Sequence, residues 1–339
     1  MTDPHISIVI PCRNEEQYIG KCLQSIVDLN YPHQLLEVFV CDGMSDDTTQ
    51  QTVQEFAQRY PLIHLLINHS QTTPHALNLG INQASGDLIV ILGAHAEVHP
   101  DYMIHCVKSL VEHPEAGGVG GILENQFVNP VSKLIGLAMS SSFGVGDAYF
   151  RTGTKEGYVD TVVFGAYRKE IFEKIGLFDE ELVRNQDDEF NYRMLKHGYK
   201  LWLNKSVVSK YHVRSSIGRL FKQYFQYGLW KVYVNKKHCT ITTSRQLVPF
   251  LFVLFLIVGV VASCFNHWIL IGYLSVIGFY LALAATLSFL LAHQFRKVPG
   301  LILIFIVLHL SYGIGYLAGV IKFLFLGYGS EKVNPAGHK

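Results

Sequence analysis

The sequence predicts an α/β domain built on a mostly parallel sheet, followed by three membrane-spanning helices. Three observations carry this. Short β-branched apolar runs alternate with helical patterns at a spacing of about 10–15 residues, the signature of strand–helix–strand units. Charge is scarce, 16% of 339 residues, against about 25% in ordinary soluble domains, and the deficit lies almost wholly beyond Leu247. Finally, three apolar segments at about 247–265, 268–292 and 299–326 each reach the ~20 residues needed to cross ~30 Å of hydrocarbon. These divide the chain into an α/β domain at 1–213, a basic and aromatic linker helix at 214–245, a membrane part at 246–328 and a short tail at 329–339.

Ile6-Ser7-Ile8-Val9-Ile10 reads as a buried strand stopped by Pro11, and a helix from about Glu15 to Leu29 places Ile19, Leu23 and Ile26 on one face. Leu36 to Cys41 is the second strand. It runs into the turn-rich Asp42-Gly43-Met44-Ser45-Asp46-Asp47, which caps a helix through about Arg59. Leu62 to Ile67 is the third strand, Thr73 to Ala84 the third helix, and Asp87 to Leu92 the fourth strand. A helix follows Pro100 to about Glu112, and Gly117-Gly118-Val119-Gly120-Gly121 reads as a flexible entry to a strand. Residues 131–146 form a weakly charged amphipathic stretch, fit either for a bilayer surface or for a core. Thr161 to Phe164 is a strand, Arg168 to Ile175 a short helix, and Lys200 to Asn204 with Val207 to His212 two closing strands. Arg214 to Tyr233 is a helix that mixes Arg219, Lys222 and Lys231 with Phe221, Tyr224, Phe225, Tyr227 and Trp230, a composition suited to a membrane interface.

Several function classes are disfavoured. A net charge of +1 gives no basic field for nucleic acid. No Gly-x-Gly-x-x-Gly follows the first strand and no Gly-Lys-Ser/Thr occurs, so neither a dinucleotide fold nor an ATPase is expected. The apolar segments carry no Asp, Glu or Arg to serve as an ion pathway, which argues against a transporter. Cys12, Cys22, Cys41, Cys106, Cys239 and Cys264 show no metal-type spacing and read as free thiols in a reducing compartment. The polar start, Met1 to His5, lacks the features of a cleavable signal peptide. Basic residues at 205–245 and at Arg296-Lys297 place the α/β domain in the cytoplasm and, after three crossings, the C-terminus outside.

In parallel α/β sheets ligands bind beyond the carboxyl ends of the strands. That singles out Pro11 to Glu15, Asp42 to Asp46 and Gly93 to Glu97. A fourth stretch stands apart, Asn185-Gln186-Asp187-Asp188-Glu189-Phe190-Asn191-Tyr192-Arg193, with three consecutive acids ahead of a helix whose apolar positions include Phe190, Met194 and Leu195. Acids at a helix N-terminus are favoured by its dipole and solubilise it. An aspartate there that faces a cleft can also take a proton from a substrate hydroxyl, and Asp187 is the candidate.

These stretches resemble known motifs. Ile8-Val9-Ile10-Pro11-Cys12-Arg13-Asn14-Glu15 is similar to the opening strand and turn of family 2 glycosyltransferases, and Asp42 to Asp47 resembles their Asp-Gly-x-Ser-x-Asp loop. Gly176-Leu177-Phe178-Asp179-Glu180 with residues 185–193 resembles their acidic base motif. Gly93-Ala94-His95-Ala96 with Ser142-Phe143-Gly144-Val145-Gly146 is closest to the succinoglycan-biosynthesis branch. The resemblance covers about residues 5–230. It implies a GT-A fold, a nucleotide-diphosphate sugar donor and inversion at the anomeric carbon. Carried over, it makes Asp187 the general base beside Gln186, Asp188 and Glu189. Asp42 holds the nucleotide base and Glu15 the ribose, while Pro11, Arg13, Asp46, Gly93 and Ala94 contribute to the nucleotide-sugar pocket.

The chain departs from the family at the metal motif. Where Asp-x-Asp is usual, it has Gly93-Ala94-His95. Three readings stay open: His95, with Glu97 or His212, holds Mn²⁺ or Mg²⁺; basic residues such as Arg214, with Arg219 and Lys222 at the diphosphate or membrane interface, take the metal's place; or the protein is impaired or has a different donor. The Gln-x-x-Arg-Trp of processive synthases is replaced by Gln223-Tyr224-Phe225-Gln226-Tyr227. The resemblance therefore implies transfer of a single sugar to a lipid-linked or cell-surface glycan at the membrane. A polyprenyl-phosphate glycosyl synthase and a non-catalytic nucleotide-sugar-binding subunit are the alternatives.

Overall fold

Strand β1 (Ile6–Cys12) is buried along nearly all of its length, and helix α1 (Ile19–Val27) covers it with Ile19, Cys22, Leu23 and Ile26, one face of a 3.6-residue period. The computed structural model describes residues 3–328; the expected tail lies outside the described residues. The alternation continues through β2 (Leu36–Asp42), α2 (Thr49–Arg59), β3 (Ile63–Ile67), α3 (Thr73–Gln83), β4 (Leu88–Ile91), β5 (Ala96–Val98), α4 (Tyr102–Glu112) and β6 (Ala116–Gln126). Helices α5 (Pro130–Met139), α6 (Ser142–Val145) and α7 (Tyr149–Thr152) follow, then β7 (Gly157–Val159), β8 (Ala166–Arg168), α8 (Lys169–Ile175), α9 (Gln186–Lys196) and β9 (Lys200–His212).

Among the described residues nine strands form one sheet in the order β3-β2-β1-β4-β8-β6-β9-β5, with β7 also paired to β9. Pairing is parallel among β1, β2, β3 and β4 and between β6 and β9. It is antiparallel where β8 enters between β4 and β6 and where β5 and β7 meet β9. The sheet is thus α/β as expected but mixed in its second half.

Four local expectations are corrected. Pro11 does not stop β1. Pairing with β4 ends at Val9, so the proline's missing N–H falls where that side of the ladder is already open, and Pro11 pairs with Cys41 on the other side. Residues 117–121 are not a flexible entry but the buried interior of β6. A Cβ on Gly118 would stand 2.6 Å from the Tyr167 ring, and one on Gly121 would lie 1.6 Å from the Val207 carbonyl oxygen. Thr161–Phe164 is a connection rather than a strand, with Phe164 at φ 49°. The two closing strands are one, β9, whose register against β6 shifts between Gly120 and Ile122.

The chain forms two compact units. The sheet unit comprises the chain up to Gln126 together with Ala148–His212; the second comprises Phe127–Asp147 and the chain from Val213. The stretch 131–146, read with the α/β domain, therefore belongs to the unit that carries the apolar helices. That unit continues with α10 (Ile217–Lys237), α11 (Val248–Ser263), α12 (His267–Ala292) and α13 (Val298–Gly319), which runs on as a π-helical turn, Val320–Phe325. Three of its helices, within Ser244–Ser263, His267–Ala292 and Phe295–Phe325, are long and apolar enough to cross a membrane. Glycines set the packing of α13. Cβ atoms on Gly228 and Gly315 would stand 2.1 Å from the carbonyl oxygens of Tyr312 and Phe225, so α10 and α13 approach backbone to backbone. His309, midway along α13, bonds Tyr280 of α12 and the Phe143 carbonyl oxygen of α6, at 2.9 and 2.7 Å.

Candidate active site

The loops after β1 and β2 are tied to each other. The Asn14 amide donates to Ser45 Oγ (2.9 Å), the Asp46 amide to Asn14 Oδ1 (3.1 Å) and the Glu15 amide to Thr49 Oγ1 (2.8 Å). Asn14 and Met44 adopt positive φ, 55° and 59°, which turns the two loops toward each other. Asp42 is fully buried, and four donors converge on its carboxylate: the Ser45 amide and hydroxyl, Gln50 Nε2 and the Cys12 thiol. The expected base-holding residue is therefore the pin of this loop pair. Arg13 and Asp46 are exposed on the pair, and Pro11 and Glu15 are half-buried within it. Burial, then the Asp42 charge, pushes the Cys12 thiol far up, and burial pushes Cys22 to about 12, so neither is a thiolate nucleophile near neutral pH.

Beyond β4, Gly93 lies under Phe164: a Cβ there would stand 3.0 Å from the ring. Ala94 is buried. His95 Nδ1 lies 3.7 Å from Glu15 Oε1, which joins this loop to the first. Glu97 is held elsewhere, by His212 Nε2 at 3.2 Å and Lys210 Nζ at 3.4 Å. Burial alone pushes the Glu97 carboxyl up, but its hydrogen bonds and charges with His212 and Lys210 outweigh that and hold it below the ordinary carboxylate range. The expected metal set is thus split into two pairs, and among the described residues no three His, Cys, Asp or Glu side chains form a group able to hold a metal ion. Gly93 and Ala94 add no side-chain donor. The described side chains therefore form no preassembled cage for a divalent ion. Arg214, Arg219 and Lys222 belong to the second unit. Arg214 Nε donates to Gln223 Oε1 (3.2 Å), whereas Arg219 and Lys222 are exposed on α10.

The three acids sit in the first turn of α9 rather than ahead of it, behind Asn185 in the left-handed conformation. They differ in environment. Asp187 is exposed, Asp188 and Gln186 are half-buried, and Glu189 is fully buried. Glu189 receives both Nε and Nη2 of Arg193, at 3.1 and 3.0 Å. The same guanidinium donates to the carbonyls of Ile175, Gly176 and Leu177, so it fastens the α8–α9 connection to α9. Asn78 of α3 holds the next residues, accepting from the Phe178 amide and donating to the Phe178 carbonyl and Glu180, each at 2.9 Å. One turn after Asp187, Asn191 accepts from the Tyr167 hydroxyl (3.1 Å) and donates to Thr161 Oγ1 and the Val162 carbonyl. Burial, then the charge of Asp187, pushes the Tyr167 phenol far up, which records the proximity of that carboxylate to β8. Because Ala166 of β8 pairs with Val90 and Phe164 covers Gly93, the start of α9 is tied to the carboxyl end of β4.

Asn78, Tyr167 and Asn191 hold these segments through partners that no local spacing marks, up to 102 residues away for Asn78, whereas Arg193 meets Glu189 at the i,i+4 helix spacing.

A mixed α/β sheet with acidic loops at its strand ends is the architecture of the GT-A glycosyltransferases. Residues 7–176 match the model of Glycosyl transferase family 2. The chain belongs to that family and is a membrane glycosyltransferase. It is 32% identical over 326 residues to the dolichyl N-acetyl-α-D-glucosaminyl phosphate 3-β-D-2,3-diacetamido-2,3-dideoxy-β-D-glucuronosyltransferase of Methanococcus voltae, over 94% of this chain and 97% of that one. It is 29% identical to the succinoglycan biosynthesis protein ExoA of Rhizobium meliloti (strain 1021), over 74% of this chain and 76% of that one. Among solved structures, the mannosyltransferase PcManGT from Pyrobaculum calidifontis, in complex with GDP-Man and Mn²⁺, shares the fold. It superposes with a TM-score of 0.59 at 20% identity, covering 96% of this chain and 88% of that one.

Proposed function

We propose that the chain transfers one sugar, with inversion, from a nucleoside-diphosphate sugar to a lipid-linked glycan, and that Asp187 is the general base. The observation that carries this is the tethering of α9 one turn beyond Asp187, through Asn191 to Tyr167 and Thr161, beside the carboxyl end of β4. In the transfer, the acceptor hydroxyl oxygen bonds to the anomeric carbon. The bond from that carbon to the β-phosphate oxygen breaks, its electron pair leaves with the nucleoside diphosphate, and the hydroxyl proton passes to the Asp187 carboxylate. Arg13, Glu15, Pro11 and Asp46 present the nucleotide-facing rim, and Asp42 holds their loops in shape.

A lipid-linked acceptor is supported by the apolar helices and by the Methanococcus voltae relative, whose name describes a sugar carried on dolichyl phosphate. Basic residues on α10 and at Arg296-Lys297 favour a cytoplasmic sheet unit. Detergent-solubilised protein, supplied with radiolabelled UDP- and GDP-sugars and polyprenyl-diphosphate-linked N-acetylglucosamine, is expected to move label into the organic phase. Label recovered only as free sugar would contradict a lipid-linked acceptor.

A further inference from the structure

The departure of the nucleoside diphosphate builds negative charge on its phosphates, which a cation or positive dipoles must meet. The loop after β4 supplies no metal ligand set. His95 faces Glu15, Glu97 is committed to His212 and Lys210, and Gly93 and Ala94 offer no side-chain donor. Within the same unit an arginine stands beside this loop. Arg151, half-buried in the short helix α7, lies over the Tyr211 ring at 5.0 Å, and the Tyr211 ring is edge-on to His95 at 5.8 Å. Tyr211 is fixed in turn by its pairing with Ala96, the residue after His95. Stacking on an aromatic face orders the guanidinium at a small cost in side-chain freedom, and its planar fork fits two phosphate oxygens at once.

We infer that Arg151 binds the diphosphate of the donor and takes the charge that a metal ion at the Asp-x-Asp position would otherwise take. This rests on the nucleotide-sugar reading above. Arg13, exposed on the loop after β1, is the alternative cation of that rim.

The test is calorimetric titration of the full chain in detergent with UDP, UMP, GDP and GMP, in EDTA and in Mn²⁺. Wild-type protein is expected to bind one diphosphate with an affinity in EDTA within about threefold of that in Mn²⁺, a negligible difference on the free-energy scale. Arg151→Gln is expected to weaken that diphosphate by about 10- to 100-fold while leaving the monophosphate within about twofold. Arg151→Lys, which keeps the charge and guards against misfolding, should fall between. Diphosphate binding lost in EDTA, or an Arg151→Gln protein that binds the diphosphate like wild type, would overturn the assignment. Equal loss of mono- and diphosphate in both variants would show a structural role and overturn it as well. Wild-type protein that binds no nucleotide in either condition would remove the donor reading itself, and this inference with it.

Discussion

At the scale of single residues, adjacent acids in α9 do different work because their surroundings differ. Glu189 is buried in a two-pronged contact with Arg193, whereas Asp187 keeps an exposed carboxylate near Tyr167. The sequence showed the acidic run and where it stands, but not this division, which depends on Arg193 folding back across the carbonyls of residues 175–177. Asn78 should be as important as any acid for shaping the site. Asn78→Ala leaves the Phe178 amide and carbonyl without their partner and is expected to cost about 2–4 kcal/mol, read as a lowered melting temperature together with reduced transfer. Glu97 gives a pH-dependent case. Its folded pKa is depressed, so its stabilising contribution is full above the ordinary glutamate pKa and is lost as pH falls through the folded value. Glu97→Gln should therefore melt below wild type at pH 7, and the gap should shrink as pH falls below the ordinary glutamate value of about 4.3.

At the scale of elements, the first half of the sheet was legible and the second was not. β1 to β4 are apolar runs separated by helices with one buried face, and local periodicity suffices to find them. The glycine run in β6 reads locally as flexibility, yet what selects glycine there is the close approach of Tyr167 and of the Val207 backbone. Gly121→Ala is accordingly expected to destabilise by about 3 kcal/mol or more. Gly218→Ala, with no atom within 4 Å of its Cβ position in α10, should be neutral or stabilising by up to about 1 kcal/mol. Denaturation of both variants in detergent makes the comparison. The splitting of β9 into two expected strands has a similar origin. Lys205 and Ser206 break the apolar alternation, and only the register shift against β6 shows that the backbone runs on.

At the scale of the whole molecule, the sequence showed a water-facing part and an apolar part, and left one segment open between a bilayer surface and a core. Phe127–Asp147 belongs with the apolar helices, where α5 and α6 are anchored on α13 by Leu134 against Gly300 and by His309 on the Phe143 carbonyl. That partner lies 166 residues away, beyond the reach of any amphipathic pattern. The membrane arrangement itself is testable. If all three candidate helices cross, a reporter fused after residue 328 reads out on the opposite face from one fused to the N-terminus. Signals on the same face would mean that one helix, α13 being the most buried of the three, does not cross.

We propose that the Asp187 carboxylate takes the acceptor proton. The most direct measurement is single-turnover transfer by Asp187→Asn protein at saturating donor, with nucleotide binding measured on the same sample. A loss of about 100- to 10,000-fold in the transfer rate is expected, with nucleotide affinity near that of wild type. Transfer at the wild-type rate by the Asn variant would contradict it and point instead to an acceptor already ionised, such as a lipid phosphate.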